Sequence, residues 1–259
     1  MKVVVLTSAR HGTAPYILNH LLENKVCRVV AVILSEGVLK KKNKHYLRKL
    51  IKIWKIGLPG AINGIRMRKW FNDDVNQRLN TSSLEEVCAK FDITLFRTSS
   101  INCQETVALM QKADAELGLS LGNGYIGKKV YSVPPYGMLN VHHEILPAYQ
   151  NAQSVIWQLY NGSRFTGYTI HKIDQSIDTG DILWQEKVPI NFKEGLGKTV
   201  SATFVDLLKA SAHGLAYTIT NFITLNATAK KQGPGQKYTT PSLRQFLRIR
   251  RNYLRLKNS

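Results

Sequence analysis

The sequence is poor in cysteine, in acidic residues and in long apolar runs. Its 3 cysteines, Cys27, Cys88 and Cys103, are scattered and lack the spacing of a metal site. A sparse, odd set is typical of a reducing compartment, so we expect a cytoplasmic protein that binds no metal. No apolar run approaches the roughly 18 residues that a membrane-spanning helix needs, and the N-terminus lacks a signal-peptide pattern.

Acidic residues are absent from two segments. The chain has 36 Lys and Arg against 17 Asp and Glu, a formal net charge of +19. Residues 40–69 contain 11 Lys or Arg and residues 230–257 contain 9, with no acidic residue in either segment. Such a field favours an anionic partner, namely a phosphate-bearing ligand, RNA or an anionic membrane surface. Charge that only promotes solubility is the alternative.

Strand and helix patterns alternate from the N-terminus. Apolar runs at 2–8 and 28–35 predict strands buried on both faces, and residues 14–23 between them predict a helix. This order forms a βαβ unit with a right-handed crossover. We therefore predict an α/β fold with a mainly parallel sheet flanked by helices. The same patterns predict helices at 84–91, 104–113 and 195–221, and strands at 93–96, 115–121, 137–142, 166–173 and 181–190.

Residues 37–80 interrupt this alternation with a basic insertion. Within it, residues 44–56 place apolar residues at helical spacing with basic residues largely opposite, which predicts a basic amphipathic helix. Such a helix could pack on the protein with a solvated basic face, or lie on anionic lipid or nucleic acid. Its apolar positions are Leu47, Leu50, Ile51 and Trp54.

The C-terminal part differs in composition from the rest. Gly, Pro and Thr between 229 and 242 are typical of a linker, and residues 243–259 form a basic terminal helix or an extended arm. We therefore predict one main domain over 1–225, which includes the basic insertion, and a linker with a short basic C-terminal extension over 226–259. A monomer and a homodimer both fit this organisation.

Polar residues gather at predicted strand ends. The run "GMLNVHHEILPAY" holds Asn140 and His142, which project to one face because strand positions i and i+2 share a face. Asp178 lies in "IDQSIDTGDIL", a loop indicated by Asp, Ser, Thr and Gly between two strands. That loop can fold back over a neighbouring strand end, where open α/β sheets place their sites.

These two motifs together resemble the double signature of the formyltetrahydrofolate-dependent formyltransferases. The family pattern is Asn-x-His followed by Leu-Pro, then Asp-Thr-Gly about 35 residues later. The resemblance extends over residues 115–215, with a looser fit at 1–36. It implies a Rossmann-like formyltransferase fold and N10-formyltetrahydrofolate as co-substrate. The family includes methionyl-tRNA formyltransferase, glycinamide ribonucleotide transformylase and the amino-sugar N-formyltransferases.

By matching position, the resemblance assigns Asn140, His142 and Asp178 as the catalytic residues. An amine attacks the formyl carbon, and an amide can donate a hydrogen bond to the oxyanion that forms. An imidazole can carry the proton near neutrality, and a carboxylate can orient it and favour its charged form. His143 follows on the opposite strand face, which favours a structural or acceptor-facing role over catalysis.

Two further segments are candidates for ligand binding. In the Gly-rich segment 119–130 the backbone can approach a flat pterin closely, although an ordinary turn is the alternative. Residues 8–18 open a helix after the first strand and could bind a phosphate, or form a simple N-capped turn. The resemblance assigns the folate to Gly124, Tyr125, Ile126, Gly127, Ile173, Asp174 and Gln175. The acceptor phosphate is assigned to Arg10, His11, Gly12 and Thr13.

The amine acceptor stays open between several substrates. "NVHHEILPAY" is most similar to the amino-sugar enzymes, so we expect an amino sugar on a nucleotide or lipid phosphate carrier, with the protein cytoplasmic or peripheral at the inner membrane surface. A methionyl-tRNA formyltransferase-like enzyme and a glycinamide ribonucleotide formyltransferase are alternatives. A catalytically silent RNA- or membrane-binding protein on this scaffold is an alternative of another class, and a formate-releasing hydrolase ranks lower.

Overall fold

The structure, a computed structural model, describes residues 1–37 and 42–259, without the side chains of 42–53 and 55. Lys40 and Lys41 of the predicted basic segment lie outside the described residues. The strands are β1 (Lys2–Thr7), β2 (Arg28–Ser35), β3 (Leu95–Thr98), β4 (Leu117–Leu121), β5 (Met138–His142), β6 (Phe165–Lys172) and β7 (Ile182–Pro189). The helices are α1 (Thr13–Glu23), α2 (Lys42–Phe71), α3 (Asp73–Leu79), α4 (Leu84–Lys90), α5 (Gln104–Ala113), α6 (Lys128–Tyr131), α7 (Ile156–Tyr160), α8 (Leu196–Thr220), α9 (Phe222–Ala227) and α10 (Leu243–Lys257).

The strands form one seven-stranded sheet in the order β3-β2-β1-β4-β5-β6-β7. Strands β1 to β5 pair in parallel, and β6 and β7 add antiparallel strands at one side. This confirms the predicted α/β fold with a mainly parallel sheet. The strand order reverses between β1 and β4, so the chain leaves a crevice at their carboxyl ends, where such sheets bind ligands.

The predicted element boundaries differ from the observed ones in a few places. β3 begins at Leu95 and not at residue 93, because the amide of Ile93 still donates to the carbonyl of Cys88 at the end of α4. Helices α3, α6 and α7 were not predicted, since helices of 7, 4 and 5 residues are too short to show a periodic pattern.

Helix α2 contains the predicted amphipathic helix and continues beyond it. Gly57 interrupts it with φ 74° and ψ 163°, a left-handed φ that glycine tolerates, and the helix resumes before Pro59. Met67 and Trp70 near its end are buried against the rest of the protein. Trp54, whose side chain is the one described among the predicted apolar positions, is 86% exposed. The predicted apolar face therefore does not pack on the protein at Trp54.

The segment predicted as a linker is attached to the body of the protein. The amide of Gln150 donates to the carbonyl of Gln236 (2.9 Å), and the amide of Tyr238 donates to the carbonyl of Gln150 (3.0 Å). The Tyr238 ring stacks on Tyr149 at 5.4 Å and lies 4.6 Å from Trp157. Residues 229–242 are therefore packed chain that supports the loop after β5, and not a free tether.

Helix α10 is likewise packed against α2 and α7 and is not an extended arm. Its apolar face joins Met67 and Trp70 of α2 and Ile156 and Leu159 of α7 in a second hydrophobic cluster. Along residues 1–37 and 42–259, no helix combines the length and apolar composition needed to cross a membrane. The residues of α10 buried in this cluster are Phe246, Ile249, Tyr253 and Leu256.

Candidate functional site

An open cleft of about 550 Å³ lies at the carboxyl ends of β4 and β5. The start of α1 and the end of α2 close one side of it, and the loops after β4, β5 and β6 close the others. Its volume is in the range of small-molecule sites. Asn140, His142 and Asp178 all line this cleft, so the structure brings the three predicted catalytic residues together.

The pairing of β5 with β6 places Asn140 opposite His171. His171 Nδ1 lies 2.8 Å from the carbonyl of Lys172, which can only accept, so Nδ1 donates and Nε2 is an acceptor. Burial, together with the neighbouring His142, lowers the pKa of His171 and keeps this ring neutral. Asn140 Nδ2, 3.2 Å from His171 Nε2, therefore donates to it. The second N–H of the same amide is left for a ligand in the cleft.

His142 is held by a backbone carbonyl on one side and faces a carboxylate on the other. Its Nε2 lies 3.0 Å from the carbonyl of Tyr149 and must carry a hydrogen. Its Nδ1 lies 3.7 Å from Asp178 Oδ1, in ion-pair range but longer than a direct hydrogen bond. Nδ1 is thus the nitrogen that can take up or release a proton in the cleft, beside a compensating negative charge.

Asp178 is positioned by its backbone conformation and by the loop after β5. Its φ is 59°, a left-handed value that Asp tolerates better than most residues. The amide of Asn151 donates to Asp178 Oδ2 at 3.1 Å. A Cβ on Gly180 would lie 1.9 Å from the carbonyl oxygen of Lys172, so only glycine allows the loop to pass this close to β6.

The predicted folate residues divide into those that line the cleft and those that do not. Gly127 and Gln175 are not part of its lining. Asn102 supports the loop after β4, accepting from the amide of Gly127 at 2.6 Å and donating to the carbonyl of Tyr125 at 2.9 Å. The predicted residues that do line the cleft are Gly124, Tyr125, Ile126, Ile173 and Asp174.

The side chain of Asp174 stabilises its own loop. Its Oδ1 accepts from the amide of Ser176 at 3.0 Å and from the hydroxyl of Thr179 at 2.7 Å. The bond from Thr179 links the start of the loop to the residue that follows Asp178. Asp174 therefore has a structural contribution to the site that the sequence did not predict.

The predicted phosphate residues are mostly outside the cleft. Arg10 forms an ion pair with Glu36, which also binds Arg97 at 2.8 Å, so its guanidinium is engaged away from the site. His11 and Gly12 do not line the cleft either, whereas Thr13 does. Arg68, at the end of α2, lines the cleft and supplies a cation that sequence analysis did not assign to the site.

His143 and Glu144 follow His142, and both are also part of the cleft lining. The His143 ring contacts Phe204 edge-on at 5.3 Å, and its Nε2 lies 3.3 Å from the Ser211 hydroxyl. Burial, with a smaller contribution from His142, lowers the pKa of His143 to about 3. Glu144 is 1% exposed and accepts from the amide of Gln158. Burial raises the pKa of Glu144 well above its ordinary value.

We expect acid to destabilise the protein through His143. The folded state binds a proton there only near pH 3, whereas the unfolded chain binds it near a pKa of about 6.5. The unfolded state therefore carries more protons between these values. The free energy of unfolding falls as the pH is lowered through this window, by up to about 1.4 kcal/mol per pH unit for one group.

The variant His143→Phe tests this expectation, because it keeps a ring against Phe204 and removes the titrating group. Ser211 still donates to the carbonyl of Leu208 in this variant. Urea unfolding between about pH 7 and pH 4 should show a shallower pH dependence in the variant than in the wild type. Equal slopes would show that His143 is not held neutral in the folded protein.

Sequence analysis did not identify His171 and Arg68 as residues of the site. The sequence contains different information about each of them. His171 lies in the alternating run of β6, but its pairing with Asn140 depends on the register of two strands separated by a long loop. Arg68 lies in a segment that was noted only for its total charge. His171 stands in "TGYTIHKIDQSIDTGDIL", the stretch that carries the second half of the family resemblance, but it was not assigned a role there, and Arg68 belongs to no motif.

Comparison with known proteins places this site in a wider context. A sequence profile of the family described as "Formyl transferase" matches residues 1–206. The methionyl-tRNA formyltransferase of Halothermothrix orenii is 30% identical over 121 residues, which is 46% of this chain and 38% of that protein. That of Kosmotoga olearia is 30% identical over 122 residues, covering 47% of this chain and 39% of that protein. The chain thus spans well under half of the length of these curated relatives.

Solved structures share the fold at low sequence identity. The phosphoribosylglycinamide formyltransferase from Streptococcus pneumoniae TIGR4 has a TM-score of 0.56 and 15% identity, covering 86% of this chain and 98% of that one. An N-formyltransferase from Helicobacter canadensis, in complex with folinic acid and dTDP-3-aminofucose, has a TM-score of 0.56 and 18% identity, covering 99% of this chain and 80% of that one.

Proposed function

Because the chain belongs to the formyl transferase family, we propose that it transfers a formyl group from N10-formyltetrahydrofolate to a primary amine bound in the cleft. The observation that carries this proposal is the convergence of three chemical groups in one cleft. They are a fixed N–H donor on Asn140, a proton-exchanging nitrogen on His142 and the carboxylate of Asp178. Acyl transfer to an amine needs a donor to the carbonyl oxygen and a proton carrier.

The cleft has a wall that fits a flat folate ring. Ile126 is buried and Ile173 is half-buried, and both line the cleft beside the glycine-rich backbone after β4. A Cβ on Gly124 would meet no atom within 4 Å, so the space beside this backbone is open to a ligand. We assign the co-substrate, which supplies the formyl group, to this wall, together with Tyr125 and Asp174.

The side chains then have distinct roles in the transfer. The free N–H of Asn140 donates to the formyl oxygen as negative charge develops there, an interaction worth about 3 kcal/mol in comparable sites. His171, through its neutral Nε2, positions that amide. The proton lost by the attacking amine must reach N10 as the bond between N10 and the formyl carbon breaks. His142 Nδ1 takes up and returns this proton, and Asp178 stabilises the charged ring in between.

We propose an amino sugar on a nucleotide or lipid phosphate carrier as the acceptor. Arg68 and Thr13 both line the cleft, and Arg68 can bind a phosphate with a charge-assisted hydrogen bond. The overlap with the Helicobacter canadensis structure includes 99% of this chain, against 86% for the Streptococcus pneumoniae transformylase. This larger overlap is a similarity of fold only, and it is the reason for testing amino sugars first. Methionyl-tRNA and glycinamide ribonucleotide are the other candidate acceptors.

A panel assay tests this function directly. The protein is incubated with N10-formyltetrahydrofolate and, separately, nucleotide-linked amino sugars, glycinamide ribonucleotide and methionyl-tRNA, and the N-formylated product is detected by mass spectrometry. We expect product with an amino sugar. Formate without a formylated amine would indicate a hydrolase. No turnover with any acceptor, combined with steeply salt-dependent RNA binding, would favour a silent scaffold.

The cation in the cleft gives a prediction about acceptor binding. We expect Arg68→Gln to raise KM for a phosphate-bearing acceptor at least about tenfold with kcat nearly unchanged, because a lost charge-assisted hydrogen bond costs about 1.5–3 kcal/mol. Arg10→Gln is the matched control and should leave KM unchanged, since Arg10 is paired with Glu36. A raised KM in Arg10→Gln together with an unchanged KM in Arg68→Gln would instead support the assignment of the phosphate to Arg10 that was made from the sequence.

A further inference from the structure

Helix α2 exposes an apolar stripe on the side opposite its buried face. Successive helical positions differ by about 100°, so Leu58, Ile62 and Ile65 fall within about 60° of one another, with Met67 about 180° from Leu58. These three side chains are 69%, 59% and 69% exposed, while Met67 is fully buried. Trp54, before the break in the helix, is 86% exposed. A helix that already packs one face has no structural need for a second apolar face.

Cations border this stripe on both sides. By the same angular count, Arg66 and Arg68 lie about 80° to either side of Leu58, and Lys69 lies about 20° from it at the end of the stripe. All three basic residues are exposed. An apolar stripe with basic flanks is the pattern of helices that lie in the plane of a membrane interface.

The second basic segment joins this surface in three dimensions. A groove of about 540 Å³ is lined by α2, by α10 and by residues 194–198, and Arg66, Arg250 and Lys257 are part of its lining. Asp74 and Glu194 are also part of its lining, and Glu194 pairs with Lys257. The two acid-free segments of the sequence therefore meet at this groove, through Arg66 and Arg250. The other exposed arginines of α10, which by the same angular count lie opposite its buried face, are Arg244, Arg248, Arg251 and Arg255.

We propose that this α2–α10 surface binds an anionic lipid bilayer, with the stripe of α2 in the headgroup region and Arg66, Lys69 and Arg250 against lipid phosphates. This goes beyond formyl transfer and does not depend on it. Aliphatic side chains at the centre of the surface favour lipid over RNA, since nucleic-acid surfaces use aromatic stacking and phosphate contacts. A second copy of the chain is disfavoured, because it would bring like charges of a +19 protein face to face.

The catalytic cleft opens beside the proposed membrane surface. Arg68, Phe71 and Asn72, at the end of α2, line the cleft, and Arg68 also borders the apolar stripe. A bilayer bound at the stripe would therefore lie next to the cleft. An amine carried on a lipid phosphate in that bilayer would then lie close to the cleft. This last consequence rests on the proposed function.

Vesicle co-sedimentation tests the proposal with a matched pair of variants. Ile62 is 59% exposed on the stripe, and Ile223 is 62% exposed on α9, outside the surface. The wild type should bind vesicles of phosphatidylcholine and phosphatidylglycerol in equal parts, more weakly at high salt, and should not bind phosphatidylcholine alone. Ile62→Glu should lower the partition coefficient at least about tenfold. The reason is that inserting the Ile62 side chain into the bilayer contributes most of the transfer free energy of a fully buried Ile. Ile223→Glu should bind as the wild type does.

Fluorescence gives an independent measurement. Trp70 and Trp157 are 7% and 3% exposed, and Trp184 is half-buried on β7, outside the surface, so a blue shift on adding mixed vesicles should come chiefly from Trp54 and should disappear in Trp54→Phe. Equal binding by Ile62→Glu and Ile223→Glu, or binding of RNA without vesicle binding, would overturn the proposal. Formyl transfer to a soluble acceptor should be the same in Ile62→Glu and wild type, which separates this test from that of the proposed function.

Discussion

His142→Gln and Asp178→Asn should each lower kcat of formyl transfer at least about a hundredfold in a folded protein. The glutamine amide can still donate to the carbonyl of Tyr149, but it cannot exchange a proton with the amine. The asparagine tolerates the left-handed backbone of Asp178 and can still accept from the amide of Asn151, so the loop should keep its shape. What it loses is the negative charge beside His142 Nδ1.

Kinetics with the acceptor identified by the panel assay, together with urea unfolding, measure this effect. His213→Gln, at an exposed position on α8, is the control and should retain wild-type kcat. If either site variant unfolds like the wild type and retains near-native kcat, the substituted residue has no part in proton transfer. If the protein is instead a catalytically silent scaffold, the wild type itself shows no formyl transfer, and neither variant can lower it.

Gly180→Ala should both destabilise the protein and reduce its activity. The added Cβ would lie 1.9 Å from the carbonyl oxygen of Lys172, a backbone atom in β6 that cannot rotate away. We expect a loss of at least about 2 kcal/mol in the free energy of unfolding, within the usual range for overpacking. Because the displaced loop also holds Asp178, kcat/KM should fall at least about tenfold as the distance to His142 changes.

Gly233→Ala is the matched control for this substitution. A Cβ on Gly233 would meet no atom within 4 Å, and its φ is not in the left-handed region. This variant should match the wild type in urea unfolding and in kcat/KM. If Gly180→Ala behaves in the same way, the loop has room that the structure does not show, and glycine is not required there for steric reasons.

The sequence predicted those parts of the protein that depend on local patterns. Continuous apolar runs predicted β1 and β2 because strands covered on both faces need apolar residues at every position. The shared face of Asn140 and His142 followed from the two-residue period of a strand. The loop with Asp178 was predicted to fold over a strand end, and the structure brings it to 3.7 Å from His142.

Other parts of the site could not be predicted because they depend on contacts between distant segments. His171 is next to Asn140 only through the register of β5 with β6. Arg10 was assigned to a phosphate, but Glu36 at the end of β2 binds its guanidinium. Residues 229–242 have the composition of a linker, but they pair with Gln150 in the loop that supports the site.

The sequence by itself determined the sheet, the positions of the two motifs and the total charge, because each depends on residue type and spacing along the chain. The tertiary structure decided which nitrogen of His142 faces Asp178, which cation enters the cleft, and that two basic segments far apart in the sequence meet at one groove. Those features arise from packing across long loops, and local propensity contains no information about which distant side chains will meet.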